Sequence, residues 1–266
     1  MAYEITGSID AGNVNTTVVN AHAGSFTRSG IPNEAGTMIA ASSDRHGGAG
    51  STDPGRDIYR SSSAGGWERT ESIDSLNSPT AYVYAMAWYS DTELYAVDNQ
   101  RNLKSYASSS DGWTMTERGT VSSGIDQHMF FNPEKTRLAV IENPSTNITN
   151  PSKVDIFHSA SGTWSLITLD NTDIVAKPRG ITWPTENEII IGMPGYNVPS
   201  NGTGRVRHFR YDGSSDWDLV QSVSGFSSNT SLTKNLGTFV YYNRGSEELL
   251  VGAVANDPLA VMNIIK

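Results

Sequence analysis

The chain has 266 residues, a net charge of −9 and no cysteine, which excludes disulfides, thiolate metal ligands and cysteine nucleophiles. The acidic balance, without any run of Lys or Arg, disfavours a nucleic acid or an anionic membrane surface as partner. No segment approaches 18 apolar residues and the first residues, MAYEITGSIDAG, lack the regions of a signal peptide, so we expect no membrane insertion.

The predicted elements are short strands that recur in groups of four, with almost no helix. In chain order the groups are 25–30, 37–42, 57–62 and 67–73; then 82–88, 94–98, 103–107 and 113–119; then 127–132, 138–142, 153–158 and 164–169; then 179–183, 189–193, 205–211 and 217–223; and finally 238–243, 249–253 and 259–265. Four-stranded units in series are typical of β-propeller blades.

Two markers fix the repeat. Trp67, Trp113, Trp164 and Trp217 open the outer strands and are separated by 46, 51 and 53 residues, the period of a propeller blade. Their identical placement predicts packing between blades. Between them lies a seven-residue hairpin frame, found as IPNEAGT (31–37), WYSDTEL (88–94), NPEKTRL (132–138), WPTENEI (183–189) and NRGSEEL (243–249).

The sequence has five hairpin frames but only four tryptophans at the outer-strand position, so one outer strand remains to be assigned. The segment MAYEITGSI aligns with WERTESI and places Tyr3 at the tryptophan position. We therefore predict one all-β domain over 1–266. It is a five-bladed β-propeller with four-stranded blades, whose ring is closed by the strand 2–8 pairing with the strand 259–265. Closure of this kind removes exposed sheet edges.

The last two groups resemble FG-GAP repeats, the blades of integrin-α-like propellers. Leu236–Gly237 stands at the FG position, and Gly252–Ala253 and Gly192–Met193–Pro194 stand at the GAP positions. The match is partial in the second and third groups and faint in the first. The resemblance implies an interaction scaffold. The DxDxDG calcium loop of that family is absent from all five hairpins, so we predict no metal and no cofactor.

Candidate ligand residues fall in two places. Tyr84, His128 and Arg179, with Asp126 and Lys177 nearby, are predicted at the start of the inner strands, where they either orient a polar ligand or anion or line a solvated channel. The long loops after the second strands carry further candidates, which serve either binding or turn formation. These loop residues are Asp44, Arg45, His46, Tyr196 and Asn197.

Trp88 and Trp183 share the first position of the hairpin frame, where the other hairpins carry Ile or Asn. A core slot would not accept both Trp and Asn. We therefore expect both tryptophans to be partly exposed, as an interface with a protein or a carbohydrate. The basic cluster in GRVRHFRYDGSSDW (204–217), by contrast, falls on the third strand of the fourth group and is interpreted as a solvated strand face.

These patterns predict a non-enzymatic binding or structural module. The composition and the predicted closed ring suggest a virion component, of phage-tail or capsid-accessory type, that mediates protein contacts or host-surface attachment. A carbohydrate-binding lectin is the first alternative. A five-bladed glycoside hydrolase is the second, although that chemistry needs at least two converging carboxylates and the channel positions offer only Asp126.

Overall fold

A computed structural model describes residues 27–43, 56–62, 67–73, 83–122, 125–142, 153–160, 163–169, 178–194, 204–214, 216–224, 236–253 and 262–264. These residues form antiparallel sheets joined by tight turns. Among them, no helix is long and apolar enough to cross a membrane.

Each sheet follows chain order from its first strand to its last. The first sheet contains β1 (Thr27–Pro32), β2 (Met38–Ser43), β3 (Arg56–Ser61) and β4 (Trp67–Ser72). The second contains β5 (Val83–Trp88), β6 (Glu93–Asp98), β7 (Asn102–Ser109) and β8 (Gly112–Thr120). The third contains β9 (Ile125–Phe131), β10 (Arg137–Glu142), β11 (Val154–Ala160) and β12 (Thr163–Thr168). The fourth contains β13 (Gly180–Thr185), β14 (Glu188–Met193), β15 (Arg205–Tyr211) and β16 (Trp217–Ser224). The fifth contains β17 (Leu236–Asn243), β18 (Glu248–Ala253) and β19 (Met262–Ile264).

The all-β class and the four-stranded, blade-like antiparallel sheets are thereby confirmed. The fifth sheet has three strands in the described part of the chain. The strand predicted over 2–8 lies outside the described residues, as does most of its predicted partner segment 259–265.

The chain divides into two compact units, Met1–Gln100 with Lys104–Glu117, and Arg101–Leu103 with Arg118–Lys266. In the first unit, apolar side chains of the first and second sheets form one core, which includes Ile58 and Trp88. In the second unit, one core joins the third and fourth sheets and another joins the fourth and fifth. Burial of these side chains is the main force that holds neighbouring sheets together.

The hairpin turns of the first and third sheets are stabilised by the same hydrogen bond, in which an asparagine side-chain oxygen accepts from a backbone N–H across the turn. The Asn33 Oδ1 accepts a hydrogen bond of 2.9 Å from the Met38 backbone N–H, and the Asn132 Oδ1 accepts one of 2.8 Å from the Arg137 N–H. The equivalent of the frame 132–138 is therefore 33–39. The predicted frame 31–37 was wrong by two residues, because the proline at position 32 was aligned with Pro133 in place of the asparagine that caps the turn.

The fourth and fifth sheets meet backbone to backbone. A Cβ on Gly192 would collide with the Gly237 carbonyl, and one on Gly204 would collide with the carbonyl of Leu236. Gly237 itself has φ +92°, a conformation that other residues rarely adopt. Glycine at positions 192, 204 and 237 thus allows the backbones of the fourth and fifth sheets to touch.

Candidate functional site

Trp88 and Trp183 are buried, with exposed fractions of 6% and 5%, so the predicted exposure was wrong. Phe131 pairs with Leu138 as Trp88 pairs with Leu94, which puts Phe131, and not Asn132, in the position of the tryptophan. The seven-residue frame had aligned Asn132 with the tryptophans and so suggested that this position accepts a polar residue. In the second, third and fourth sheets the position is in fact occupied by an aromatic residue.

The predicted packing between neighbouring sheets is observed for two of the outer-strand tryptophans, Trp113 and Trp217. Trp217 is buried in the core between the third and fourth sheets, and Trp113 packs against the core of the first unit. Trp164 is half-buried and contacts Phe131 of its own sheet. The side chain of Trp67 lies outside the described residues.

The predicted channel residues are only partly described. Arg179 is exposed just before β13, and its backbone N–H donates to the Gly192 carbonyl at 2.9 Å. The half-buried His128 ring stacks on Phe130 with centroids 6.2 Å apart. Tyr84 lies in β5 and Asp126 in β9, but their side chains are not described. Lys177 and the loop residues Asp44, Arg45, His46, Tyr196 and Asn197 fall outside the described part of the chain.

A pocket of about 470 Å³ opens where β9, β13 and β17 lie side by side, and we call it the inner-strand pocket. Two contacts hold these strands together. The Trp183 indole N–H donates to the Phe130 carbonyl at 3.2 Å, and the Tyr242 backbone N–H donates to the Thr182 hydroxyl at 3.1 Å. The lining residues are Phe130, Phe131, Pro133, Ile181, Thr182, Trp183, Tyr241, Tyr242, Asn243, Arg244 and Gly245.

The inner-strand pocket offers an aromatic surface to solvent. Tyr241 of the lining set is 53% exposed, and Phe239, two residues earlier on the same face of β17 but outside the lining set, is 48% exposed. Asn243 and Arg244 supply hydrogen-bond donors at the rim, and the lining set contains no carboxylate. An apolar ring surface beside a few polar groups is suited to binding, because the rings supply contact area and the polar groups fix orientation.

A second opening, of about 430 Å³, lies on the face of the fourth sheet that is turned toward the fifth, and we call it the hairpin cleft. Alternate residues of β14, β15 and β16 form its floor, and the hairpin of the fifth sheet forms a wall. Its lining includes Glu134, Glu186, Glu188, Ile190, Val206, His208, Arg210, Gln221, Val223, Tyr242, Arg244, Glu247 and Leu249.

Two ion pairs stand at the rim of the hairpin cleft. The Arg210 guanidinium donates to Glu188 Oε1 at 2.6 Å and 3.0 Å, and Arg244 donates to Glu134 Oε1 at 3.0 Å. Burial, the largest single influence on Glu188, acts to raise its pKa. Arg210, the charge of His208 and the Thr185 hydroxyl together outweigh burial, so the pKa of Glu188 lies below its ordinary value. The pKa of Glu134 is lowered in the same sense, with burial opposed by Arg244 and by its own backbone N–H.

The basic cluster of residues 204–217 is not a uniformly solvated face. Arg207 is buried, with 8% of its surface exposed, so that part of the prediction was wrong. His208 lines the hairpin cleft and is half-buried. Arg210 is exposed, as predicted, but bound to Glu188. The signal that could have separated them is alternation: residues 208 and 210 lie on one face of β15 and 207 on the other.

Among the described residues, no group of three or more His, Asp or Glu side chains could hold a metal ion. Neither a protein-family model nor a curated protein sequence matches the chain. Its fold is similar to that in the crystal structure of a protein from Lactobacillus plantarum, with a TM-score of 0.52 over 87% of this chain and 68% of that one. At 13% identity the likeness concerns the fold alone.

Proposed function

We propose that the protein is a non-enzymatic binding module built as a five-bladed β-propeller, and that its ligand binds at the inner-strand pocket. The observation that carries the proposal is the exposed Tyr241 beside Asn243 in a pocket whose lining has no carboxylate. Exposed aromatic rings next to hydrogen-bonding groups are the features that make protein surfaces bind tightly.

Two carboxylates of the hairpin cleft, Glu134 and Glu188, do not have the ionisation that glycoside hydrolysis requires of its acid. A hydrolase of this kind needs a carboxylic acid whose pKa is raised so that it can protonate the leaving group. In the hairpin cleft the pKa values of Glu134 and Glu188 are shifted the other way, since arginines hold both carboxylates in the charged form. Such groups act as structural ion pairs and as poor proton donors.

Closure of the ring is the prediction made from the sequence. Among the described residues the fifth sheet has three strands, with β19 last in its order, and the segment 2–8 lies outside those residues. In the proposed fold the strand 2–8 pairs with that sheet and completes the fifth blade.

We propose other protein chains of a larger assembly as the partners, with glycan recognition as the alternative. Tyr and Phe are enriched where protein surfaces meet, and two such rings are exposed on β17. The same rings could stack on a sugar, and this keeps the lectin hypothesis in place. The assignment to a virion, with attachment to a host surface, stays a prediction from composition and chain organisation.

The proposal is tested with Tyr241→Ala in the full chain. Val220→Ala is the matched control, because Val220 is also an exposed apolar residue on an exposed strand, β16, and is outside the pocket. Incorporation of both variants into the native assembly, measured by quantitative mass spectrometry of purified particles, should fall for Tyr241→Ala and not for Val220→Ala. Binding on a glycan array that is lost with Tyr241→Ala would favour the lectin. Equal behaviour of both variants in both assays, or glycoside cleavage by the unchanged chain, would contradict the proposal.

A further inference from the structure

The inner-strand pocket has a charge opposite to that of the chain as a whole. The protein carries a net charge of −9, yet the one side chain of the lining that is charged at neutral pH is the Arg244 guanidinium. Lys135 places a second cation beside the lining, with its Nζ 5.4 Å from the centroid of the Phe131 ring. A concave site lined by one sign of charge attracts ligands of the opposite sign.

The Arg244 guanidinium is only partly engaged by the protein. Its Nη1 donates to Glu134 Oε1 at 3.0 Å, in an ion pair that is 39% exposed on both sides. Its other N–H groups have no acceptor among the described residues. Arginine presents its donors in a plane that matches the two oxygens of a carboxylate. Glu134 therefore shows which chemical group Arg244 binds, and it leaves donors for a second one.

The side-chain amide of Asn243 is oriented by its own turn. Its Oδ1 accepts hydrogen bonds from the Gly245 N–H at 2.9 Å and from the Ser246 N–H at 3.4 Å. The oxygen is thus used within the turn, and the NH₂ group is left as a donor without an acceptor in the part of the chain that the structure describes. The rim of the pocket therefore offers donors, from Asn243 and from Arg244, to a group that only accepts.

An apolar surface lies next to these donors. Tyr241 and Asn243 are on the same face of β17, because side chains alternate along a strand. The Tyr241 ring is 53% exposed, and the half-buried rings of Phe130 and Phe131 belong to the same lining. The pocket volume of about 470 Å³ falls within the range of roughly 300–1,000 Å³ that is usual for small ligands. The pocket is thus suited to an anionic group with an apolar neighbour.

We infer that the inner-strand pocket binds an acidic segment of the partner protein, with a carboxylate on Arg244 and Asn243 and an adjacent apolar side chain on Tyr241. This rests on the proposed function and names the chemistry of the partner. The lining favours such a segment over a sugar. The Thr182 hydroxyl already accepts from the Tyr242 N–H, and the several hydroxyl groups of a sugar need more polar partners than the remaining lining supplies.

Two small probes test the charge preference in the full chain. N-acetylphenylalanine carries a carboxylate beside an aromatic ring, and N-acetylphenylalaninamide is its neutral match. Affinities are measured by NMR titration at low and high salt for the wild type, Arg244→Gln, Arg244→Lys and Glu134→Gln. Arg210→Gln and Glu188→Gln are the matched controls, because they make the same changes of charge in an ion pair outside the pocket. Circular dichroism checks that every variant is folded.

The expected result is that the carboxylate probe binds about tenfold more tightly than the amide, as one charge-assisted interaction would give, and that salt weakens this preference. Arg244→Gln should abolish the preference, and Arg244→Lys, which keeps the charge, should retain part of it. Glu134→Gln should strengthen binding of the carboxylate about threefold, because it removes the competing group. Both control variants should behave as the wild type.

Equal binding of the two probes, or binding of neither in the millimolar range expected for such small ligands, would overturn the inference. A preference that survives Arg244→Gln, or weaker carboxylate binding by Glu134→Gln, would overturn it as well. Binding of 3′-sialyllactose but of neither phenylalanine probe would assign the pocket to an acidic sugar and reject the acidic segment. If Tyr241→Ala lowers incorporation into the native assembly while the two probes bind equally, this inference fails and the proposed function stands.

Discussion

The guanidinium of Arg137 lies over the ring of Tyr211, with its central carbon 4.3 Å from the ring centroid. Arg137 belongs to the third sheet and Tyr211 to the fourth, so the contact joins two sheets across their shared core. The same guanidinium donates a hydrogen bond of 2.7 Å to Asn187 in the hairpin of the fourth sheet. A buried cation is thus held by one hydrogen bond and by aromatic faces, which is an arrangement that suits the planar arginine side chain.

Arg137→Lys should lower the free energy of unfolding by about 1–2 kcal/mol, because an ammonium group cannot stack on Tyr211 and is harder to dehydrate. Chemical denaturation measures the change. Arg244→Lys is the control: its ion pair with Glu134 is 39% exposed on both sides, so the change should stay within about 0.5 kcal/mol. Equal effects of the two substitutions would show that the stacking contributes nothing.

Gly192→Ala should destabilise the protein by about 2–3 kcal/mol, because the new methyl group would collide with the Gly237 carbonyl and push the fourth and fifth sheets apart. Gly119→Ala is the matched control in another strand. Its Cβ would meet a Phe157 ring atom at 3.6 Å, an ordinary contact, and an alanine there should be neutral or slightly stabilising. Thermal unfolding of both variants decides the matter, and a neutral Gly192→Ala would mean that the two backbones are not in contact.

Asp155 of β11, in the third sheet, is fully buried. It binds Ser122, which follows the last strand of the second sheet. Its carboxylate accepts hydrogen bonds from the Ser122 backbone N–H at 2.7 Å and from the Ser122 hydroxyl at 3.2 Å. Asp155→Ala should cost about 2–3 kcal/mol, because it leaves the Ser122 N–H without its acceptor. Ser122→Ala keeps that N–H bonded and should cost about 1 kcal/mol or less. Urea unfolding should reproduce this ranking, and a larger effect of Ser122→Ala would contradict it.

The depressed pKa of Glu188 makes its contribution to stability dependent on pH. A carboxyl group whose pKa is lower in the folded state stabilises the fold above its unfolded pKa, near 4.5, and loses that contribution as the pH falls through the folded value. The difference in unfolding free energy between the wild type and Glu188→Gln should therefore be largest above pH 5 or so and shrink in acid. Denaturation at a series of pH values measures it.

The Arg210→Gln background is the control for this titration. Arg210 supplies the hydrogen bond that lowers the Glu188 pKa, so in that background the pH dependence of the Glu188→Gln difference should be weaker. A difference between wild type and Glu188→Gln that is constant from neutral pH into acid would refute the assignment.

The strands and their grouping could be read from the sequence because each depends on local chemistry. The tryptophan period and the Ser/Gly/Asp turns predicted β7, β8 and β10 within a few residues of their observed bounds. The burial of Trp88 and Trp183 was not predicted. The hairpin of the third sheet is one residue longer than that of the second, so the fixed seven-residue frame aligned Asn132, and not Phe131, with the tryptophans. The charged residues of the hairpin cleft were missed for a related reason. Glu134, Glu188, Arg210 and Arg244 come from three different sheets, and no spacing along the chain brings them together.

The sequence by itself therefore determined the class and the repeating four-stranded unit. Short amphipathic strands, tight turns and a tryptophan near the start of the fourth strand of the first four sheets follow from alternation and turn chemistry within a few residues. Only the tertiary structure decided which faces are covered. Burial and pKa shifts depend on atoms that are distant in sequence and close in space, such as the Gly237 carbonyl at Gly192 and the Arg210 guanidinium at Glu188. The close backbone contact that only glycine permits, and the carboxylates held in their charged form, are properties of packed sheets.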